Sequence, residues 1–305
     1  MKTLMDIPQN PLQDNLELIA KQVVEGFIIG LHKSPFHGFS VEFAEHRLYN
    51  QGDALRHVDW KVFGRTDKLF VKKYEEETNL RCCIVLDTSS SMYFPKEEGK
   101  MSKLDFSCLA AACLLQLTKR QLDAASLAFF DDNLYYFSEC RSAHSHYRQL
   151  VYELEKLLKK PAENRPTNAA KALHQVADQM HKRSLIVVFS DMMDGAEDLE
   201  ELFSALQHLK YNKHEVILFH VMDGAKEIGF EFENRPYEFV DMESGERIKL
   251  QPHQVKDTYI NRMADYLQEI ENKCHQYHID LVKADLTEPV DQVLNAFLLK
   301  RNKML

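Results

Sequence analysis

In the run Asp87-Thr88-Ser89-Ser90-Ser91, a carboxylate at 87 and hydroxyls at 89 and 91 fall at alternating positions. These oxygens are hard donors, suited to Mg2+, Mn2+ or Ca2+ and unsuited to zinc or copper. The run follows Arg81–Leu86 (RCCIVL), a short apolar stretch that reads as a buried strand. The donors would therefore leave a strand end, although the same run could be a polar loop that caps the next helix. Thr167, in Arg165-Pro166-Thr167-Asn168, precedes a helical pattern and could cap it, ligate a cation, or do both. Asp191 follows the apolar run Ser184–Phe189 (SLIVVF). If the two runs are parallel strands, Asp87 and Asp191 reach the same sheet edge. Three loops would then gather two carboxylates and three hydroxyls around one point.

The elements that must position them are regular from residue 80 onward. Apolar runs at Arg81–Leu86, Ala124–Phe130, Ser184–Phe189, Glu215–Val221 and Ile279–Lys283 predict strands. Helical patterns at Lys103–Leu122, His144–Lys160, Ala169–His181, Glu197–Lys210, Tyr259–Tyr277 and Val290–Lys300 lie between or after them. Short strands alternating with long helices predict a three-layer, Rossmann-like α/β fold, mostly parallel, where ligands collect at the carboxyl ends of strands. Leu134–Phe137 follows its predecessor through Asp131-Asp132-Asn133, too close for a helical crossover, and predicts an antiparallel edge strand. Tyr237–Asp241 and Arg247–Leu250 flank Glu243-Ser244-Gly245-Glu246 and predict a hairpin insertion near 230–250, at the sheet edge. Residues 1–79 differ in character: a helix at Asn15–Ile29, short strands at Phe39–Phe43 and Lys68–Tyr74, and a polar stretch Arg47–Arg65 holding the one tryptophan. This segment is expected to pack on a main domain at 80–305.

Composition narrows the function. The chain has 305 residues, is 45% hydrophobic and 28% charged, and carries a net charge of −9, which argues against a nucleic-acid or anionic-membrane binder. Its apolar runs fall short of the roughly 20 residues needed to span a bilayer. The N-terminal residues lack the pattern of a secretion signal. The six cysteines contain no Cys-x-x-Cys pair and are expected to be free thiols in a reducing compartment. The expected location is the cytoplasm. His174, Asp178 and His181 would share a helix face, which reads as a solvated polar face, with a second metal site as the weaker alternative.

The order D-x-S-x-S, then Thr, then Asp resembles the metal-ion-dependent adhesion site of von Willebrand factor A domains. That resemblance implies that Asp87, Ser89, Ser91 and Thr167 coordinate a divalent cation, Mg2+ foremost, with Asp191 acting through a water. Two positions depart from the family: Met192 stands where it usually has glycine after the aspartate, and Pro166 where it often has glycine before the threonine. Gly38, Glu42-Phe43, Arg47, Tyr49, Gly52-Asp53, Arg56, Asp59-Trp60, Arg65, Lys72, Tyr74 and Glu76-Glu77 resemble the signature of the bacterial domain-of-unknown-function family 58. Such proteins are similar to those encoded beside MoxR-type AAA+ ATPases, with which they are thought to assemble or activate other proteins.

The resulting expectation is a non-enzymatic adaptor. Its cation would accept an acidic side chain from a protein partner, and the ATPase is the expected partner. Arg47, Asp53, Arg56, Asp59, Trp60 and Arg65 form a candidate docking surface, with bracing of the sheet as the other reading; Trp60 itself reads as a packing anchor. The competing functions are a metal-dependent hydrolase or phosphatase, an extracellular adhesion domain, which the cysteines oppose, and a scaffold whose metal site has decayed.

Overall fold

The computed structural model describes residues 9–31, 46–48, 60–72, 80–96, 99–161, 167–193, 199–290 and 295. The chain divides into two compact units, Ile28–Asn79 and a larger one in which Met1–Phe27 joins Leu80–Leu305. The first 27 residues group with the larger unit rather than with the rest of the segment 1–79.

The larger unit is built on six strands: β3 (Arg81–Asp87), β4 (Ala124–Phe130), β5 (Leu134–Phe137), β6 (Leu185–Ser190), β7 (Glu215–Met222) and β10 (Asp280–Asp285). Their order is β10-β7-β6-β3-β4-β5, with every pairing parallel except β4–β5. The expected α/β class and antiparallel edge are therefore present. Strands buried on both faces need continuous apolar runs, which is why RCCIVL and LIVVF read so clearly. Each fully buried Val, Leu, Ile or Phe side chain contributes about 1.5–3 kcal/mol, so these central strands anchor whatever their ends carry.

Helices cover both faces. α5 (Ala169–Gln179), α6 (Leu199–Tyr211) and α7 (Pro252–Gln276) share one core with Cys83, Val85, Ile186 and Val188. α3 (Lys103–Arg120) packs with α4 (His144–Leu158). The amino-terminal helix α1 (Gln9–Leu31) buries Leu16, Ala20 and Val24 and meets α3 through the ion pair Lys119–Glu17 at 3.5 Å. It breaks at Asn15, so the predicted start marks a kink, and Leu18 is exposed rather than part of the apolar stripe. α3 is fixed by a reciprocal capping box between Ser102 and Asp105.

β8 (Tyr237–Val240) and β9 (Arg247–Leu250) form the expected hairpin, but as a separate two-stranded sheet rather than an edge of the central one. α7 begins two turns earlier than expected because Pro252 sits at its first position, where its missing N–H costs nothing. In the smaller unit, β1 (His46–Leu48) pairs antiparallel with β2 (Phe70–Lys72), and α2 (Trp60–Thr66) was not foreseen in the polar stretch. The predicted strand Phe39–Phe43 and nearly all of the helix Val290–Lys300 lie outside the described residues. All six cysteines are free. Among the described residues, no helix is long and apolar enough to cross a membrane.

Candidate metal centre

Every parallel strand delivers an aspartate at its carboxyl end. In sheet order these are Asp285, Asp223, Asp191, Asp87 and Asp131, of which the two central ones carry the candidate chemistry. The others hold local backbone. Asp223 caps the π-helical turn Gly224–Ile228, and Asp285 accepts the Gly224 N–H at 3.2 Å. A Cβ at 224 would lie 1.9 Å from the Asp285 carboxylate, so any larger residue there would push that side chain aside.

Asp87 is buried at the end of β3. One carboxylate oxygen accepts the Ser89 N–H at 2.9 Å, and the other accepts the Ser190 hydroxyl at 2.7 Å. Burial, and then the charge of Asp191, push its carboxyl up to about 8. The Ser89 and Ser91 hydroxyls lie 3.0 Å apart, and Ser91 hydrogen-bonds to Asp191. The structure therefore links four of the five expected residues. Ser89 occupies the cap position of the 3-10 turn Ser90–Tyr93 but makes no side-chain cap bond, and Ser102 caps α3. Helix capping does not explain these hydroxyls.

Thr167 lies at the same edge. The Asn168 N–H donates to the Asp131 carbonyl at 3.0 Å, beside the end of β3, where the Thr88 N–H donates to the Phe130 carbonyl at 2.8 Å. Thr167 does not cap α5. Asn168 does, accepting the Lys171 N–H at 2.9 Å. The Thr167 hydroxyl is buried with no hydrogen-bond partner among the described residues. A buried unsatisfied hydroxyl is costly unless something binds it, and a cation would. Asn168→Ala is expected to cost about 1 kcal/mol of stability. Thr167→Val should leave stability unchanged or raise it by up to about 1 kcal/mol, since it deletes an unpaired polar atom. Urea unfolding in the presence of a chelator separates the two.

Met192, where the adhesion-site pattern has glycine, adopts a left-handed φ of 48°. That costs on the order of 1 kcal/mol for a non-glycine residue. The surroundings hold it there: its N–H donates to the Ser190 hydroxyl at 3.0 Å, and Tyr266 donates to its carbonyl. The loop keeps the backbone form that glycine would adopt freely. Pro166 lies outside the described residues.

Three functional neighbours escaped sequence reasoning. Lys103, 1% exposed, bridges Asp191 at 2.6 Å and Glu227 at 2.7 Å. Burial alone would raise Asp191, but the Lys103 ammonium outweighs it and holds that carboxyl below its ordinary value. Burial likewise opposes the Lys103 charge, and the two carboxylates overcome it and push its pKa up. Burial dominates at Glu227 and raises it. His220 is pushed down to about 4 by burial, so it is neutral and donates to the Asp191 carbonyl at 2.9 Å. The signal for Lys103 was a cation in the first turn of a helix, where the helix dipole disfavours it.

The donor set fits a hard divalent cation: an acidic centre at Asp87, hydroxyls at Ser89 and Ser91, and an orphaned hydroxyl at Thr167. No group of three or more His, Cys, Asp or Glu side chains gathers as a metal cluster among the described residues. His174 instead pairs with His208 at 3.1 Å, and His208 with Asp178 at 3.6 Å; His181 is not part of the group.

Of the candidate docking residues, Asp53, Arg56 and Asp59 lie outside the described residues. Arg47 is in β1 and Arg65 in the last turn of α2. Trp60 opens α2 and is 58% exposed, edge-on to Phe63 at 6.1 Å, and so is not the buried packing anchor expected of it.

Among solved structures, the chain is similar to BatB from Bacteroides thetaiotaomicron, with a TM-score of 0.46 and 13% identity, covering 74% of this chain and 100% of that one. It is also similar to the SpRpn10 VWA domain, with a TM-score of 0.39 and 11% identity over 71% and 94% of the two chains. By sequence it is 25% identical over 208 residues to the uncharacterized proteins Mb1516 of Mycobacterium bovis and Rv1480 of Mycobacterium tuberculosis, spanning 68% of this chain and 63% of the length of each relative. The family described as "Protein of unknown function DUF58" matches residues 45–268, across both the smaller unit and the sheet edge just described, and the chain belongs to that family.

Proposed function

We propose that the chain is a non-enzymatic, metal-dependent protein-binding module. One observation carries this reading. The hydroxyls that helix capping would have used are not so used, and that of Thr167 is left buried and without a partner among the described residues, at the edge that holds Asp87 and Asp191. Asp87, Ser89, Ser91 and Thr167 would hold Mg2+, with Mn2+ or Ca2+ accepted by the same donors. Asp191, already tied to Lys103, would act through a water. A cation held by so few carboxylates supplies a positive centre that keeps positions open for a carboxylate from another protein.

The chain's own residues do the rest. The central strands fix the donors, and Lys103 keeps Asp191 charged without making it a direct ligand. The two carboxylate partners of Lys103 also hold it protonated, which disfavours a role for it as general base in a hydrolase. The partner that the family resemblance implies is a MoxR-type AAA+ ATPase, in the cytoplasm, in the assembly or activation of other proteins. The exposed Trp60 supports a second docking surface in the smaller unit.

Titration calorimetry with Mg2+ and with Mn2+ tests the reading. The wild-type protein is expected to bind one ion, and Asp87→Ala none while remaining folded. A pull-down in Mg2+ should recover the ATPase with wild type and lose it with Asp87→Ala or a chelator. Wild-type protein that binds neither ion would sink the metal-dependent reading and favour the scaffold.

A further inference from the structure

We propose that Glu243 is an internal stand-in for the partner's acidic side chain, held at the cation site by the β8–β9 hairpin, so that a partner must displace it. The inference rests on the metal-binding reading above and adds a regulator to the same site.

The Thr167 N–H donates to the Glu243 carboxylate at 3.4 Å. A carboxylate from a distant part of the chain therefore sits at the residue whose hydroxyl is buried and has no partner among the described residues. An acidic side chain beside an oxygen donor of a hard cation is the chemistry expected of a partner's ligand. The hairpin presents it deliberately. Asp241 accepts the Glu243 N–H at 3.0 Å and also binds Ser244, so the turn is pre-formed rather than loose.

Among the described residues the hairpin strands pair only with each other, and the hairpin's aromatic base holds it, where Phe230 stacks on Phe239 at 5.8 Å and lies tilted against Tyr259 of α7 at 4.4 Å. Val240 and Ile248 are 47% and 60% exposed, so lifting the tip uncovers little apolar surface. The same excursion from the sheet supplies Glu227 to Lys103. One insertion thus reaches the Asp191 side of the edge through Glu227 and the Thr167 side through Glu243.

Water-proton relaxation of the Mn2+ complex tests this on the full chain, with sodium acetate as the acidic probe. Wild type, Glu243→Ala and the volume-preserving Glu243→Gln are each loaded with Mn2+. Both variants are expected to bind the ion and to show higher relaxivity, equivalent to about one more fast-exchanging water. Acetate should return Glu243→Ala toward the wild-type value while leaving wild type unchanged. Equal relaxivity and equal acetate response in all three, with Mn2+ bound, would overturn the role of Glu243 and leave the metal site standing. Failure of wild type to bind Mn2+ at all would overturn the metal reading and this inference with it.

Discussion

Lys103→Met is expected to destabilise the protein by about 3–5 kcal/mol at neutral pH, because it strips the shared cation from two buried carboxylates. The Lys103 and Asp191 side chains are each 1% exposed and Glu227 is 15% exposed, so water cannot replace the lost ammonium. Lys103 also opens α3, where a positive charge opposes the helix dipole, so its place there serves the carboxylates rather than the helix. Methionine keeps most of the volume, so cavity formation adds little. Removing one carboxylate along with the lysine should recover part of the loss, and Lys103→Met/Glu227→Gln is expected to be more stable than Lys103→Met alone. Acid should help the single variant as well, since protonation removes the unpaired charges. Urea unfolding in chelator, at neutral and at acid pH, checks all three statements. A loss under about 1 kcal/mol for Lys103→Met would mean that the ion pairs do not hold this edge together.

The strands were legible because burial on both faces leaves only apolar residues, and Ala124–Phe130 and Leu134–Phe137 fall where the pattern puts them. Asp87 and Asp191 were legible for a related reason: a carboxylate directly after such a run must lie at a sheet edge. What the pattern did not carry was the partner of each group. Lys103 meets Asp191 and Glu227 across long stretches of chain, and its unfavourable place in the first turn of α3 was a local hint of a partner without saying which. Thr167 and Asn168 are both good caps, and only the backbone decides between them; Asn168 wins, and that releases the threonine. The hairpin was visible from its turn residues, but its separation from the central sheet depends on an aromatic cluster joining Phe230, Phe232 and Phe239. Its reach to Thr167 depends on tertiary placement alone.

The metal-free protein is expected to lose stability as pH rises through about 8, and Mg2+ is expected to reverse that trend. Asp87 is buried beside Asp191, and both effects raise its folded-state pKa to about 8, against about 3.9 for an unfolded aspartate. Between those values the folded state holds a proton that the unfolded chain has lost. The contribution is therefore fully present below about pH 4 and gone above about pH 8. Asp87→Asn has no such proton, so the difference between its melting profile and that of wild type in chelator isolates this one group. Wild type should fall relative to the variant between about pH 4 and pH 8 and run parallel to it above that. A bound cation requires the ionised carboxylate, so the rise in wild-type melting temperature on adding Mg2+ should grow over the same interval and level off above it. Binding at neutral pH should release a proton, visible in calorimetry as a dependence of the observed heat on the buffer's ionisation enthalpy. Asp87→Asn should show neither the Mg2+ shift nor the proton release. Parallel melting profiles for wild type and Asp87→Asn in chelator would remove Asp87 as the titrating group. A Mg2+ shift that survives in Asp87→Asn would place the cation elsewhere on the protein.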